Sequence, residues 1–158
     1  MAKAFKAYLA PTVWHEVSHL VIVMAFGGES TRTISINPDG SGCCYHMGVT
    51  TPWELLYVDV AGVVGEMVGV DEDFTDAGFL GRLKLQTCAA ATADYDLAIR
   101  HSQYAGDEAL AVVGRRVYEY LVAHRAIIDV VVNHIMSGKG AINSARLVKV
   151  TGWMPEAV

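Results

Sequence analysis

Between Val13 and Met24 the chain sets two histidines and a glutamate inside an otherwise apolar run, as His15-Glu16-Val17-Ser18-His19. Val13, Val17, Leu20, Val23 and Met24 recur at helical spacing, and Gly27-Gly28 supplies the stop, so the run predicts a helix from about Thr12. Residues four apart share a helix face, which brings both imidazoles to one point with Glu16 beside them. The apolar flanks bury that point, the setting in which a metal ion is shielded from water and its field strengthened. Two histidines and a neighbouring glutamate at this spacing predict a zinc ion held by His15 and His19, with Glu16 as the base that takes a proton from water. Two solvated histidines on a helix are the plain alternative.

The rest of the chain decides what surrounds that helix. Thr31 to Ile36 alternates with β-branched enrichment, Asn37-Pro38-Asp39-Gly40 is a turn, and Cys43 to Val49 returns, which predicts a hairpin. Thr51-Pro52-Trp53-Glu54 reads as cap, first position and first turn of a second helix running to Val70. Beyond the acidic break Asp71 to Asp76, helices are expected over Phe79 to Ala91, Thr92 to Tyr104, about Asp107 to Met136, and roughly Ala141 to Val150. The fold expected is α+β and mainly α-helical: the histidine helix, a small hairpin, then a bundle of helices. At 158 residues, without repeat or linker, residues 1–158 read as a single domain.

Composition narrows the setting. The longest unbroken apolar stretch, Leu20 to Phe26, falls short of the roughly 20 residues of a membrane span, and no secretory leader is legible near Lys3 and Lys6. Three cysteines cannot all pair, and Cys43 and Cys44 are neighbours, so reduced thiols and a cytoplasmic location are expected. A net charge of -5 without a basic stripe argues against nucleic acid. Apolar residues form 53% of the chain and charged residues 18%, an excess that points to a homo-oligomer or a protein partner.

A third protein ligand must complete the site, and the candidates are Glu66, Asp94, Asp96 and His46. Asp94 and Asp96 are two apart, on nearly opposite helix faces, so at most one can reach the ion. Four blocks carry a family resemblance: His15 to His19; Arg32-Thr33-Ile34-Ser35-Ile36-Asn37-Pro38; Gly62-Val63-Val64-Gly65-Glu66; and Asp96-Leu97. In order and approximate spacing they resemble the peptidase domain of the FtsH family of AAA proteases, from about Val13 to Val150. The resemblance implies that Asp96 is the third zinc ligand. It departs where Val63 replaces an arginine, Gly65 an alanine, and Arg100-His101 an Ala-Thr pair. The family's phosphate-binding loop and membrane helices have no counterpart here.

Glu66 is either a rival third ligand or, by preference, the acceptor that orients a histidine. The segment Thr33, Ile34, Ser35 and Ile36 is the candidate strand on which extended substrate would be added. Cys43, Cys44 and His46 read as structural, Trp14, Trp53 and Trp153 as packing, and His101, His124 and His134 receive no role. The function this implies is an ATP-independent zinc metalloendopeptidase acting on flexible or unfolded polypeptide. Its rival is a catalytically inactive, zinc-stabilised module that binds other proteins.

Overall fold

The computed structural model describes residues 6–85, 94–103 and 109–158. A single 3-10 turn leads into α1 (Ala10–Ala25), followed by β1 (Ser35–Ile36), β2 (Gly42–Cys43), α2 (Pro52–Gly69), α3 (Asp76–Leu85), α4 (Asp94–Ser102), α5 (Ala109–Ala123), α6 (Arg125–Met136) and α7 (Ser144–Thr151). Seven helices and one two-stranded antiparallel sheet among the described residues make the fold α+β and mainly helical. No helix among them is long and apolar enough to cross a membrane. The expected helix ends at Ala91, Thr92, Tyr104 and Asp107 lie outside the described residues.

α1 and α2 form the centre. Every residue of α1 from Thr12 to Ala25 is buried, and so is every residue of α2 from Leu56 to Val68, the condition of helices apolar on all sides. α2 begins where its sequence says it should: Thr51 caps it by accepting from the Glu54 N–H, its hydroxyl donates to the Glu54 carboxylate, and Pro52 takes the first position.

The two helices can lie close because α2 turns glycines toward α1. A Cβ added at Gly65 would meet Ser18 Oγ at 2.0 Å and the Trp14 carbonyl oxygen at 2.9 Å, and one at Gly69 would meet the Trp14 ring at 2.7 Å. One at Gly62 would meet the His15 ring at 2.3 Å. Around this pair, α5 and α4 pack on α2, and α6 packs on α1.

The sheet is shorter than the hairpin expected from the sequence. Ser35 pairs with Cys43 and Ile36 with Gly42, and a separate bridge joins Glu29 to Met47. The turn that closes it is tied to the start of α1, where Tyr8 Oη donates to the Pro38 carbonyl and Thr12 Oγ1 to that of Gly40. The long helix expected to end at Met136 is in fact two. His124 leaves helical geometry (φ −106°, ψ 10°) with its ring between Tyr120 and Trp153, at 4.6 and 5.0 Å, and the bend lets α5 follow α2 while α6 follows α1.

The glycine face yields a paired prediction. Gly65→Ala gains about 1 kcal/mol of helix propensity but drives a methyl into the α1 backbone, an overpacking that costs about 1–3 kcal/mol or more. Neither Ser18 Cβ nor the Trp14 carbonyl can rotate away, so the clash wins and the denaturation midpoint falls. Gly81→Ala on α3 meets nothing within 4 Å and raises stability by about 0.4–1 kcal/mol. Chemical denaturation of both variants checks the contrast.

Candidate metal centre

α1 holds His15 and His19 one turn apart, and the apolar packing around them leaves His15 fully buried and His19 8% exposed. His15 Nδ1 lies 2.8 Å from Glu66 Oε1 on α2, and His19 Nδ1 lies 2.7 Å from the Val58 carbonyl oxygen, also on α2. A carboxylate and a carbonyl only accept, so each Nδ1 carries the proton. In the neutral rings both Nε2 atoms therefore present lone pairs. Those two atoms are 3.0 Å apart, and Asp94 Oδ2 stands 2.8 Å from His15 Nε2 and 3.1 Å from His19 Nε2.

Three electron-pair donors thus face one point, an arrangement that repels itself unless a proton or a metal ion sits among them. The metal-ligating atoms of His15, His19 and Asp94 form such a group. Tetrahedral coordination with bonds of about 2.0–2.1 Å separates ligand atoms by about 3.3 Å, so the observed edges need to lengthen by only about 0.2–0.5 Å. Two imidazoles and one carboxylate suit a divalent transition metal and leave a fourth position open. Both rings also donate their other N–H to an acceptor on α2, the support that imidazoles holding a metal ion need.

The electrostatics agree. Burial works to raise the Asp94 carboxyl, but the two histidines, by charge and hydrogen bond, hold it well below the usual carboxylate range. Burial works to lower His19, and the charge and hydrogen bond of Asp94 overcome it and raise the ring's affinity for a proton. A metal ion would take the place of that proton, so binding releases it.

Glu16, 2% exposed, lies beside this group. Desolvation raises its pKa, against the opposing pull of the two histidines and a hydrogen bond from the Cys44 N–H. The groups open onto a cleft of about 190 Å³ lined by Glu16, His19 and Asp94, by Gly42 to Cys44 and His46, and by Asp59 and Leu97. Larger cavities of about 560 Å³ elsewhere bring no comparable set of ligating side chains together.

Two sequence expectations are corrected here. Asp96, to which the family resemblance carried the third ligand, is exposed, and Asp94 takes the position beside the histidines. The two were expected on nearly opposite faces, and the helix begins in the phase that turns Asp94 inward. The substrate strand also shifts. None of Thr33, Ile34, Ser35 and Ile36 lines the cleft: β1 is paired to β2, and the Ile34 N–H donates to the Ile142 carbonyl on the far side. The segment along the cleft is the returning one, Gly42 to Cys44 with His46. Glu66 stands on the outer nitrogen of His15, as preferred from the sequence.

Three residues of the site had no role in the sequence reading. Gly42 lies so close to Glu16 that a Cβ there would sit 2.5 Å from its Oε1, which is why this cleft-lining position carries no side chain. Asp59, at the cleft wall, is hydrogen-bonded to His101, which joins α2 to α4. The departure at Arg100-His101 from the family's pattern was the signal in the sequence for His101.

The chain matches no protein-family model, no curated protein and no solved structure.

Loss of metal affinity should follow the geometry in steps. Glu66→Ala, which frees the outer nitrogen of His15, is expected to weaken binding of a divalent transition metal by about 10–100-fold. Asp94→Ala should weaken it further, and Asp96→Ala should leave it unchanged. Competition titration against a chromophoric chelator measures all three, and equal losses for Asp94→Ala and Asp96→Ala would overturn the ligand assignment.

Proposed function

We propose that this chain is a zinc metallopeptidase that hydrolyses peptide bonds in flexible or unfolded polypeptide without ATP. His15, His19 and Asp94 hold the zinc, and Glu16 is the general base. The observation that carries this reading is the convergence of two imidazole lone pairs and a carboxylate on one point, with a desolvated glutamate beside the opening of the cleft. Zinc bound by three protein ligands supplies Lewis acidity, which acidifies water and polarises a carbonyl.

The chain's own residues do the rest. Glu16, made more basic by burial, accepts the water's proton and afterwards gives it to the leaving amine. The Cys44 N–H, which bonds its carboxylate, and the bare backbone at Gly42 fix where that carboxylate stands. Glu66 and the Val58 carbonyl keep both rings in the tautomer a metal requires. Cys43 to His46, running along the cleft, offers backbone groups to an extended substrate segment.

The size of the cleft supports the substrate class. At about 190 Å³ it is smaller than the roughly 300–1,000 Å³ typical of sites that enclose a small molecule. It suits a chain that lies across it and inserts one peptide unit. A folded domain rarely presents such a segment, which favours flexible or unfolded polypeptide.

Glu16→Gln separates binding from chemistry. The variant should take up one zinc per chain like the wild type, yet cleave casein about 10²–10⁴-fold more slowly, the range set by loss of a general base. Chelation should abolish wild-type cleavage and zinc should restore it. A wild-type chain that takes up no zinc, or a Glu16→Gln variant that cleaves at the wild-type rate, would refute the proposal.

A further inference from the structure

The Asp59–His101 pair plays no part in the chemistry above, yet its Asp59 is set into the wall of the same cleft. Asp59 is 5% exposed, its carboxylate accepts from His101 Nδ1, and the pair joins α2 to the last turn of α4. Asp94 lies at the other end of that helix. The two are seven residues apart, two turns, so they share the face that α4 turns toward α2, with the fully buried Ala98 between them.

Among the described residues, α4 packs mainly on α2 and buries little apolar surface there. Its nine residues bury only Asp94, Ala98 and Ser102, and Tyr95 and Leu97 are half-buried. Burial of one alanine contributes little of the stabilisation that apolar area provides. The polar contacts at the two ends, Asp94 on His15 and His19 and His101 on Asp59, are the specific ties that set its register.

α2 also handles the other two ligands. Glu66 receives the N–H of His15, and Val58, the residue before Asp59, receives that of His19. Asp59 is the third α2 position that reaches toward the centre, through α4 in place of direct contact.

We propose that Asp59 and His101 are positioning residues: their pair latches the C-terminal turn of α4 to α2 and thereby holds the Asp94 carboxylate against His15 and His19. The role as a ligand clamp rests on reading those three residues as the metal centre. The latch itself is a property of the metal-free chain.

Two readouts test it. Zinc affinity is measured by chelator competition, and amide hydrogen exchange is followed along α4 and α1 in chelator-treated protein. His101→Ala and Asp59→Ala should each lose about 10–100-fold in zinc affinity, as when an outer partner of a metal ligand is removed. Both should speed exchange at α4 and leave α1 unchanged. Asp59→Asn keeps an oxygen that accepts from His101 while removing the charge, and should retain affinity and exchange near the wild-type values.

Unchanged α4 exchange in His101→Ala would overturn the latch. So would an Asp59→Asn variant as impaired as Asp59→Ala, because that result would assign the effect to charge near the ion. If the wild type takes up no zinc, the metal reading fails, and the exchange arm still decides whether the pair fastens α4. Asp59→Asn, which alters only one side-chain atom, keeps the test open if an alanine variant does not fold.

Discussion

The close crossing of α1 and α2 is the constraint from which the site follows. Gly62, Gly65 and Gly69 form one face of α2, and each sits where a methyl group would strike α1. Because the backbone approaches this closely, the His15 ring lies over Gly62 and its outer nitrogen reaches Glu66 one turn further on. The same approach puts the Val58 carbonyl on His19. Larger side chains at the glycines would separate the helices and part both rings from the groups that fix their protons. Packing and chemistry therefore depend on the same three positions.

That crossing buries a concentration of ionisable groups that a core tolerates only when each is answered. His15, Glu16, His19, Asp59, Glu66 and Asp94 are all at most 8% exposed. An uncompensated buried charge costs several kcal/mol. Asp59 is answered by His101, although its burial still pushes its pKa up to about 6. Glu66 is answered by His15, whose inner nitrogen then faces His19 and Asp94, a cluster that calls for a proton or a metal ion at its centre. A structure organised only for stability gains nothing from that convergence, since apolar residues of similar volume would pack there without penalty. The arrangement makes physical sense around a cation.

Much of this was legible in the sequence where the signal was local. The i, i+4 spacing of His15 and His19 needs only helical geometry, and the start of α2 at Thr51-Pro52 is a capping pattern that the structure reproduces. The element order and the α+β class followed from periodicity and turns. What could not be read depended on phase and on tertiary contact. Asp94 and Asp96 are equivalent in composition and differ only in the rotation of α4 against α2, which no local signal sets. The strand along the cleft is the returning one because the Ile142 segment occupies the far side of the first, a contact across more than 100 residues. The break at His124 likewise answers to Trp153, 29 positions later.

The slender hold on α4 bears on how the centre works as a unit. A short helix with one fully buried apolar residue draws much of its hold from the interactions made at its ends. An ion bound through Asp94, as proposed, would add such an interaction at the first turn, and linkage would make the effect reciprocal: whatever orders α4 would tighten metal binding, and metal binding would order α4. A ligand that binds only the folded form at 1,000 times its Kd contributes about 4.1 kcal/mol, enough to dominate the local stability of a helix of this kind. The ion would then complete the cleft wall as well as the chemistry, because Leu97 and Asp94, both on α4, line it.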